Sequence, residues 1–66
     1  MSVAKIIEIT SQSKESFDDA IKKGIAKAAK TVDHIKSAWV EGMQVLVDGD
    51  KVTTYQVNLK VTFILD

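Results

Sequence analysis

The side chains of this sequence that could hold a ligand lie on one face of a predicted strand near the C-terminus. From Thr54 to Phe63, apolar residues at odd positions alternate strictly with polar residues at even positions, as in a strand with one face in a core. The polar set is Thr54, Gln56, Asn58, Lys60 and Thr62. Most of these groups form hydrogen bonds but carry no charge, which is unusual for a face that only meets water. This face is therefore a candidate binding surface.

A hairpin turn decides which residues of the preceding stretch share that face. Asp48-Gly49 is a strong signal for a two-residue type I′ turn, which needs positive φ at both central residues. Such a turn pairs Val47 with Asp50. Counting back from the turn predicts three cross-strand pairs: Val40 with Val57, Glu41 with Gln56, and Trp39 with Asn58.

In this register Trp39, Glu41 and Gln56 lie together on the polar face. Any loop of even length keeps that arrangement, because side chains alternate with period two. A three-residue loop or a single bulge would reverse it, and Gly42 within the first arm could mark such a bulge. Both arrangements stay open at this point, and we expect the even one.

Length and composition limit the class of protein. The chain has 66 residues, so we expect one domain over residues 1–66. Nine basic and nine acidic residues give zero net charge, which gives no reason to expect nucleic acid or an acidic membrane as a partner. There is no Cys, and no apolar run is long enough to span a membrane. We expect a cytoplasmic protein with no metal site, stabilised by oligomerisation because its own core is small.

The first half of the chain predicts a strand followed by a helix. Val3 to Thr10 is rich in β-branched residues, and Ser11 to Glu15 reads as a polar connector. Ser16 with Asp19 resembles a capping box that opens a helix. An apolar stripe at three- and four-residue spacing follows and contains Gly24, which predicts that the helix backbone lies close to a strand. The lysines on the outer face, Lys23, Lys27 and Lys30, most simply solvate the helix.

The element order is therefore β-α-β-β, which predicts an α+β fold. One helix packs across the apolar face of a three-stranded antiparallel sheet. The hairpin arms are longer than one helix can cover. The first arm is also apolar on both faces, with Trp39, Met43, Val45 and Val47 on one face and Val40 and Leu46 on the other. We expect the uncovered face to meet another chain, a ligand or both.

Taken together, these segments resemble the dodecins, a family of small flavin-binding proteins. The resemblance covers nearly the whole chain. It is carried by V-A-K-I-I-E-I-T, S-x-x-S-F-D-D-A-I, A-W-V-E and the ending Y-Q-V-N-L-K-V-T-F-I-L-D. It implies a hollow homododecamer in which Trp39 stacks on the isoalloxazine ring and Gln56 hydrogen-bonds its polar edge. We include Glu41 and Val40, the neighbours of Trp39, among the candidate cofactor-binding residues.

The resemblance leaves the choice of flavin open. Some bacterial dodecins carry an Arg that meets the phosphate of FMN, but here Leu46 lies near that position and the chain contains no Arg. FMN is the flavin that we expect first, with FAD and riboflavin as alternatives, and coenzyme A stays open as a further partner. The resemblance favours flavin storage or buffering. The sequence offers no proton relay or substrate pocket for an enzyme, and the remaining alternative is an assembly module that uses no flavin.

Overall fold

Three strands and one helix account for most of the computed structural model, which describes residues 3–65. They are β1 (Ala4–Ser13), α1 (Phe17–Ala28), β2 (Ile35–Asp48) and β3 (Lys51–Ile64). The strands form one antiparallel sheet in the order β1-β3-β2. The predicted β-α-β-β fold is thus confirmed; residues 1, 2 and 66 of the predicted domain lie outside the described residues.

The core lies between α1 and the odd-numbered side of β3. Val57, Leu59 and Val61 are fully buried there, together with Ala20 of the helix. The strict alternation along β3 therefore marks the core side as predicted. Because β3 is the central strand, its even-numbered side chains occupy the middle of the opposite sheet face.

Gly24 brings the helix backbone against the sheet. A Cβ atom at this position would lie 2.9 Å from Ser11 Cβ and 3.2 Å from Leu59 Cδ1. The predicted close approach is confirmed. Ser11 also donates a hydrogen bond from its hydroxyl to the carbonyl oxygen of Ala20, at 2.7 Å. This contact ties β1 to α1. Because β1 extends to Ser13, Ser11 and the two residues after it belong to the strand and not to the connector that we predicted.

The start of α1 is held by a network of four side chains. Ser16 Oγ accepts the backbone N–H of Asp19 at 2.9 Å, which confirms Ser16 as the N-cap. Asp19 does not complete the capping box. Its carboxylate instead accepts the Ser13 hydroxyl at 2.6 Å and pairs with Lys23 at 3.0 Å. The Ser13 hydrogen bond, and then Lys23, lower the pKa of Asp19.

Candidate functional site

The hairpin turn lies one residue later than the sequence predicts. Asp48 pairs with Lys51, so the two loop residues are Gly49 and Asp50. Gly49 has a φ of 66°, whereas Asp50 is not in the positive-φ region. Positive φ at the first central residue is the pattern of a type II′ turn with Gly at that position, and not of the predicted type I′ turn. The later turn moves the cross-strand pairing along β3 by two residues.

Two bulges then offset each other between the turn and Trp39. Thr53 is an extra residue on β3, between the pairs Leu46–Thr54 and Val47–Val52. Glu41 is an extra residue on β2, beside Gly42 as the sequence hinted. One bulge reverses which residues share a face, and the second restores it. Trp39 and Gln56 therefore lie on the same sheet face, as the even register predicts.

The individual cross-strand pairs differ from the predicted ones. Trp39 pairs with Lys60 and not with Asn58, and Val40 pairs with Leu59 and not with Val57. Gln56 faces Gln44, and Glu41 has no paired residue because it forms the bulge. The shifted turn is the reason for the Trp39 and Val40 pairs, and the Thr53 bulge adds the further residue that sets Gln56 opposite Gln44. Trp39 consequently lies two rows from Gln56 along the sheet, about 14 Å at the rise of an antiparallel strand.

We call the face opposite α1 the open face. It consists of the even-numbered side chains of β3 and their cross-strand neighbours, and four of its rows cross all three strands. From one end, the rows are Ile6–Thr62–Ser37, Glu8–Lys60–Trp39, Thr10–Asn58–Gly42 and Gln12–Gln56–Gln44. Within residues 3–65 no further layer of the chain covers this face, because α1 packs on the other side. Its side chains are therefore free to meet a ligand or a second protomer.

Trp39 is the largest apolar group on the open face and is 67 % exposed. Lys60 lies across from it and pairs with Glu41, with 3.1 Å between Lys60 Nζ and Glu41 Oε1. This contact places the side chain of Glu41 on the open face. The Glu41 hydrogen bond and charge, and then the charge of Glu8, raise the pKa of Lys60. The exposed indole of Trp39 thus lies beside a lysine whose charge is already paired with a carboxylate of the same chain.

Gln56 is half-buried and its amide is oriented by a neighbour. Gln12 Nε2 on β1 donates to Gln56 Oε1 at 2.7 Å. In the next row, Thr10 Oγ1 donates to Asn58 Oδ1 at 3.0 Å. A cavity of about 160 Å³ adjoins both amides and is bordered by residues 42–44 of β2. The amides of Gln56 and Asn58 therefore form a hydrogen-bonding surface beside β2, the strand that carries Trp39.

Val40 and two other apolar residues of β2 lie on the side of the helix. Val40 pairs with the buried Leu59, so its side chain points away from the open face, and only its backbone adjoins Trp39. Met43 and Val45 pair with Val57 and Tyr55. Their predicted position on the Trp39 face is wrong, because the Glu41 bulge reverses the alternation between them and Trp39. Leu46, opposite Thr54, is on the open face instead.

Sequence reasoning missed Thr10 and Gln12, the β1 residues of the site. The signal was present, because Glu8, Thr10 and Gln12 are polar at every second position. It was obscured by Ile6 on the same side and by ending the strand at Thr10. Among residues 3–65, no group of three His, Asp or Glu side chains is placed to hold a metal ion. No helix in that range is long and apolar enough to cross a bilayer.

Comparison with known proteins agrees with this architecture. The family model for dodecin matches residues 3–66. The chain belongs to the dodecin family. Calcium dodecin of Mycobacterium tuberculosis is 35 % identical over 63 residues, which cover 96 % of this chain and 89 % of that protein.

Solved dodecins share the fold over the full length. The crystal structure of an arginine-to-alanine variant of Thermus thermophilus dodecin has a TM-score of 0.93 and 32 % identity, covering 100 % of this chain and 98 % of that one. Dodecin from Streptomyces davaonensis has a TM-score of 0.93 and 28 % identity, covering 98 % and 96 %. The M. tuberculosis protein, described with a novel calcium-binding site, has a TM-score of 0.85 and 33 % identity, covering 98 % and 93 %.

Proposed function

We propose that this dodecin binds a flavin by stacking the isoalloxazine ring on Trp39, within a closed homododecamer. The observation that carries the proposal is the exposed indole of Trp39 on the open face, next to rows of uncharged hydrogen-bonding groups. Covering a solvent-exposed tryptophan on a sheet face with a flat apolar ring lowers the free energy, because both apolar surfaces leave water. Membership of the dodecin family supports the same ligand.

The residues present fit the two ends of such a ring. Indole suits the apolar ring system through offset stacking, and the amides of the neighbouring rows suit the carbonyl-bearing edge. The span from Trp39 to Gln56 is about 14 Å along the sheet. A ligand that contacts both within one protomer must therefore be elongated, or else its edge meets the amide of a neighbouring protomer.

We propose storage or buffering of the flavin as the role, and not turnover. FMN stays our first choice, followed by FAD and riboflavin, with coenzyme A as a further partner and the cytoplasm as the location. Leu46 is on the open face, one row beyond Gln56, where it offers no charge to a phosphate. Any phosphate contact must therefore come from a lysine or from another protomer.

An organic ligand suits this face better than a calcium ion. Glu8 and Glu41 both lie near Lys60, and the ammonium group of Lys60 is already paired with Glu41 at 3.1 Å. A cation would have to displace or repel that ammonium, whereas a neutral ring would not. The mycobacterial relative is named for calcium, and calcium binding is therefore the less favoured alternative for this chain.

The test is a titration of the assembled protein with riboflavin, FMN and FAD, followed by flavin fluorescence. We expect quenching, because an indole in contact with the ring donates an electron to its excited state. Trp39→Ala should weaken binding by about 1–3 kcal/mol, the range for bases stacked on aromatic side chains, without changing the oligomer. Trp39→Phe, which keeps a flat ring, is the matched control and should retain part of the affinity.

Three results would redirect the proposal. Unquenched flavin at saturating protein would leave an assembly module that uses no flavin. Turnover of reduced nicotinamide with an added acceptor would make the protein an enzyme. Failure of Trp39→Ala to assemble would assign Trp39 to the subunit interface.

A further inference from the structure

Two residues of β1 hold the carbonyl oxygens of two consecutive amides on the open face. Thr10 Oγ1 donates to Asn58 Oδ1 at 3.0 Å, and Gln12 Nε2 donates to Gln56 Oε1 at 2.7 Å. An amide carries its acceptor and its donors on opposite arms. An oxygen held toward β1 therefore turns the NH2 group away from β1, toward β2.

One of these NH2 groups extends over Gly42. The Nδ2 atom of Asn58 lies 3.8 Å from the place that a Cβ atom of residue 42 would occupy. The cavity of about 160 Å³ begins here, bordered by Gly42, Gln44, Gln56 and Asn58. Among the described residues, neither NH2 group has a hydrogen-bond acceptor. The cavity thus faces two oriented donors whose acceptors must come from outside the chain.

We propose that Asn58 and Gln56 form a paired hydrogen-bond donor site for the acceptor-bearing edge of the ligand, with Thr10 and Gln12 as its positioning residues. The inference rests on the proposed function and deepens it, because the pyrimidine edge of a flavin carries two carbonyl oxygens. Gln56 then acts mainly as a donor, since Gln12 occupies its oxygen. Asn58 becomes a ligand contact alongside it.

The spacing of the rows favours Asn58 as the nearer partner of a stacked ring. Trp39 pairs with Lys60, so Asn58 lies one row from Trp39, about 7 Å, and Gln56 lies two rows away. The Asn58 nitrogen also points over Gly42, on the strand that carries Trp39. A ring stacked on the indole therefore meets the Asn58 donor first and the Gln56 donor at its far end.

The first experiment replaces each donor without disturbing the hydrogen bond that orients it. Asn58→Asp and Gln56→Glu keep an oxygen for Thr10 and Gln12 but remove the NH2 group. Riboflavin titration of the assembled protein should show binding weakened about tenfold or more for each, as for a buried acceptor left without its donor. Asn58→Leu and Gln56→Leu remove the donor without adding charge and should weaken binding to a similar degree.

The second experiment tests positioning with a spectroscopic readout. Hydrogen bonding lowers the carbonyl stretching frequency of bound riboflavin in the infrared spectrum. Thr10→Val and Gln12→Leu should shift these bands back toward the values of free riboflavin and weaken binding severalfold. Thr31→Val, a matched loss of a hydroxyl at the end of α1 and away from the open face, should leave both the bands and the affinity unchanged.

The outcomes separate this inference from the proposed function. If wild-type protein binds riboflavin and the donor variants bind it equally well, the donor pair is wrong while flavin binding stands. If the carbonyl stretching frequencies of bound riboflavin are the same in Thr10→Val, Gln12→Leu and wild-type protein, the positioning role is wrong. If wild-type protein binds no riboflavin, the function and the inference fail together.

Discussion

At the scale of single residues, the one lysine beside Trp39 on the open face is paired within the chain. Lys60 forms its ion pair with Glu41 beside Trp39, and both side chains are 42 % exposed. An exposed pair of this kind adds little stability, because water and salt screen it. The pair matters for ligand binding instead, because the only ammonium group in the rows beside the indole is already bound to a carboxylate.

The raised pKa of Lys60 predicts how Glu41→Gln depends on pH. A lysine whose pKa is raised by folding stabilises the folded state at neutral pH, and this contribution disappears as the pH rises through the raised value, above the ordinary 10.5. We therefore expect Glu41→Gln to lower the denaturation midpoint slightly at pH 7. The difference from wild type should close at strongly alkaline pH and in high salt.

Glu8→Gln is the matched control for that experiment. Glu8 lies in the same row as Lys60 but acts on it only through its charge, so the change in midpoint should be smaller. A Glu41→Gln deficit that persists undiminished above the pKa of Lys60 would show that Glu41 acts through the bulge and not through the ion pair.

Leu46→Arg tests where a phosphate tail would lie. Leu46 is on the open face one row beyond Gln56, so a guanidinium group there could reach the end of a ligand held by the β3 amides. The ratio of the dissociation constants for riboflavin and FMN should shift about tenfold in favour of FMN, the range for a charged hydrogen bond. Leu46→Gln should leave that ratio near the wild-type value. An unchanged ratio in the Arg variant would place the tail elsewhere.

At the scale of elements, the contact between α1 and β1 sets the width of the core. Gly24 is necessary because the strand lies too close for any side chain, with Ser11 and Leu59 in the way. The same approach lets the Ser11 hydroxyl reach the Ala20 carbonyl. The helix therefore fixes the position of β1, the strand that carries Thr10 and Gln12.

Gly24→Ala should destabilise the protein although alanine favours helices by about 1 kcal/mol over glycine. The new methyl group would lie 2.9 Å from Ser11 Cβ, and overpacking of this kind costs about 1–3 kcal/mol. The double variant Ser11→Gly with Gly24→Ala removes the obstructing side chain and should recover much of the loss. Chemical denaturation of the three proteins measures this. A Gly24→Ala protein at least as stable as wild type would contradict the close packing.

At the scale of the whole molecule, the hairpin extends well beyond its helix. The described chain measures 51 × 19 × 14 Å, and β2 is exposed along most of its length. Its exposed residues include five apolar ones: Val40, Met43, Val45, Leu46 and Val47. A surface this apolar on so short a chain indicates contact with other copies, in keeping with the proposed homododecamer.

Met43→Glu should disrupt that assembly. Met43 is 53 % exposed on the helix side of β2, so a carboxylate there would be buried without a partner when a second protomer covers it. Sedimentation velocity should show smaller species than the wild-type protein, which we expect as a single closed oligomer. Lys22→Glu, a change on the outer face of α1 at an exposed ion pair, should leave the oligomer intact. A wild-type monomer at micromolar concentration would refute the assembly.

Local patterns in the sequence determined the element order, the core side of β3 and the Ser16 N-cap. Alternation and capping depend on residues a few positions apart, so they are legible in a single chain. The shared face of Trp39 and Gln56 was also predicted, although the individual pairs were not.

Only the tertiary structure decided the rows of the open face. The turn is one residue later than the Asp48-Gly49 signal implies, and bulges at Glu41 and Thr53 cancel each other. Each bulge depends on backbone hydrogen bonds between strands, which no local pattern records. The bonds from Thr10 and Gln12 to their amides likewise join residues 48 and 44 positions apart. Their donor site exists because packing against α1 sets β1 in one register against β3.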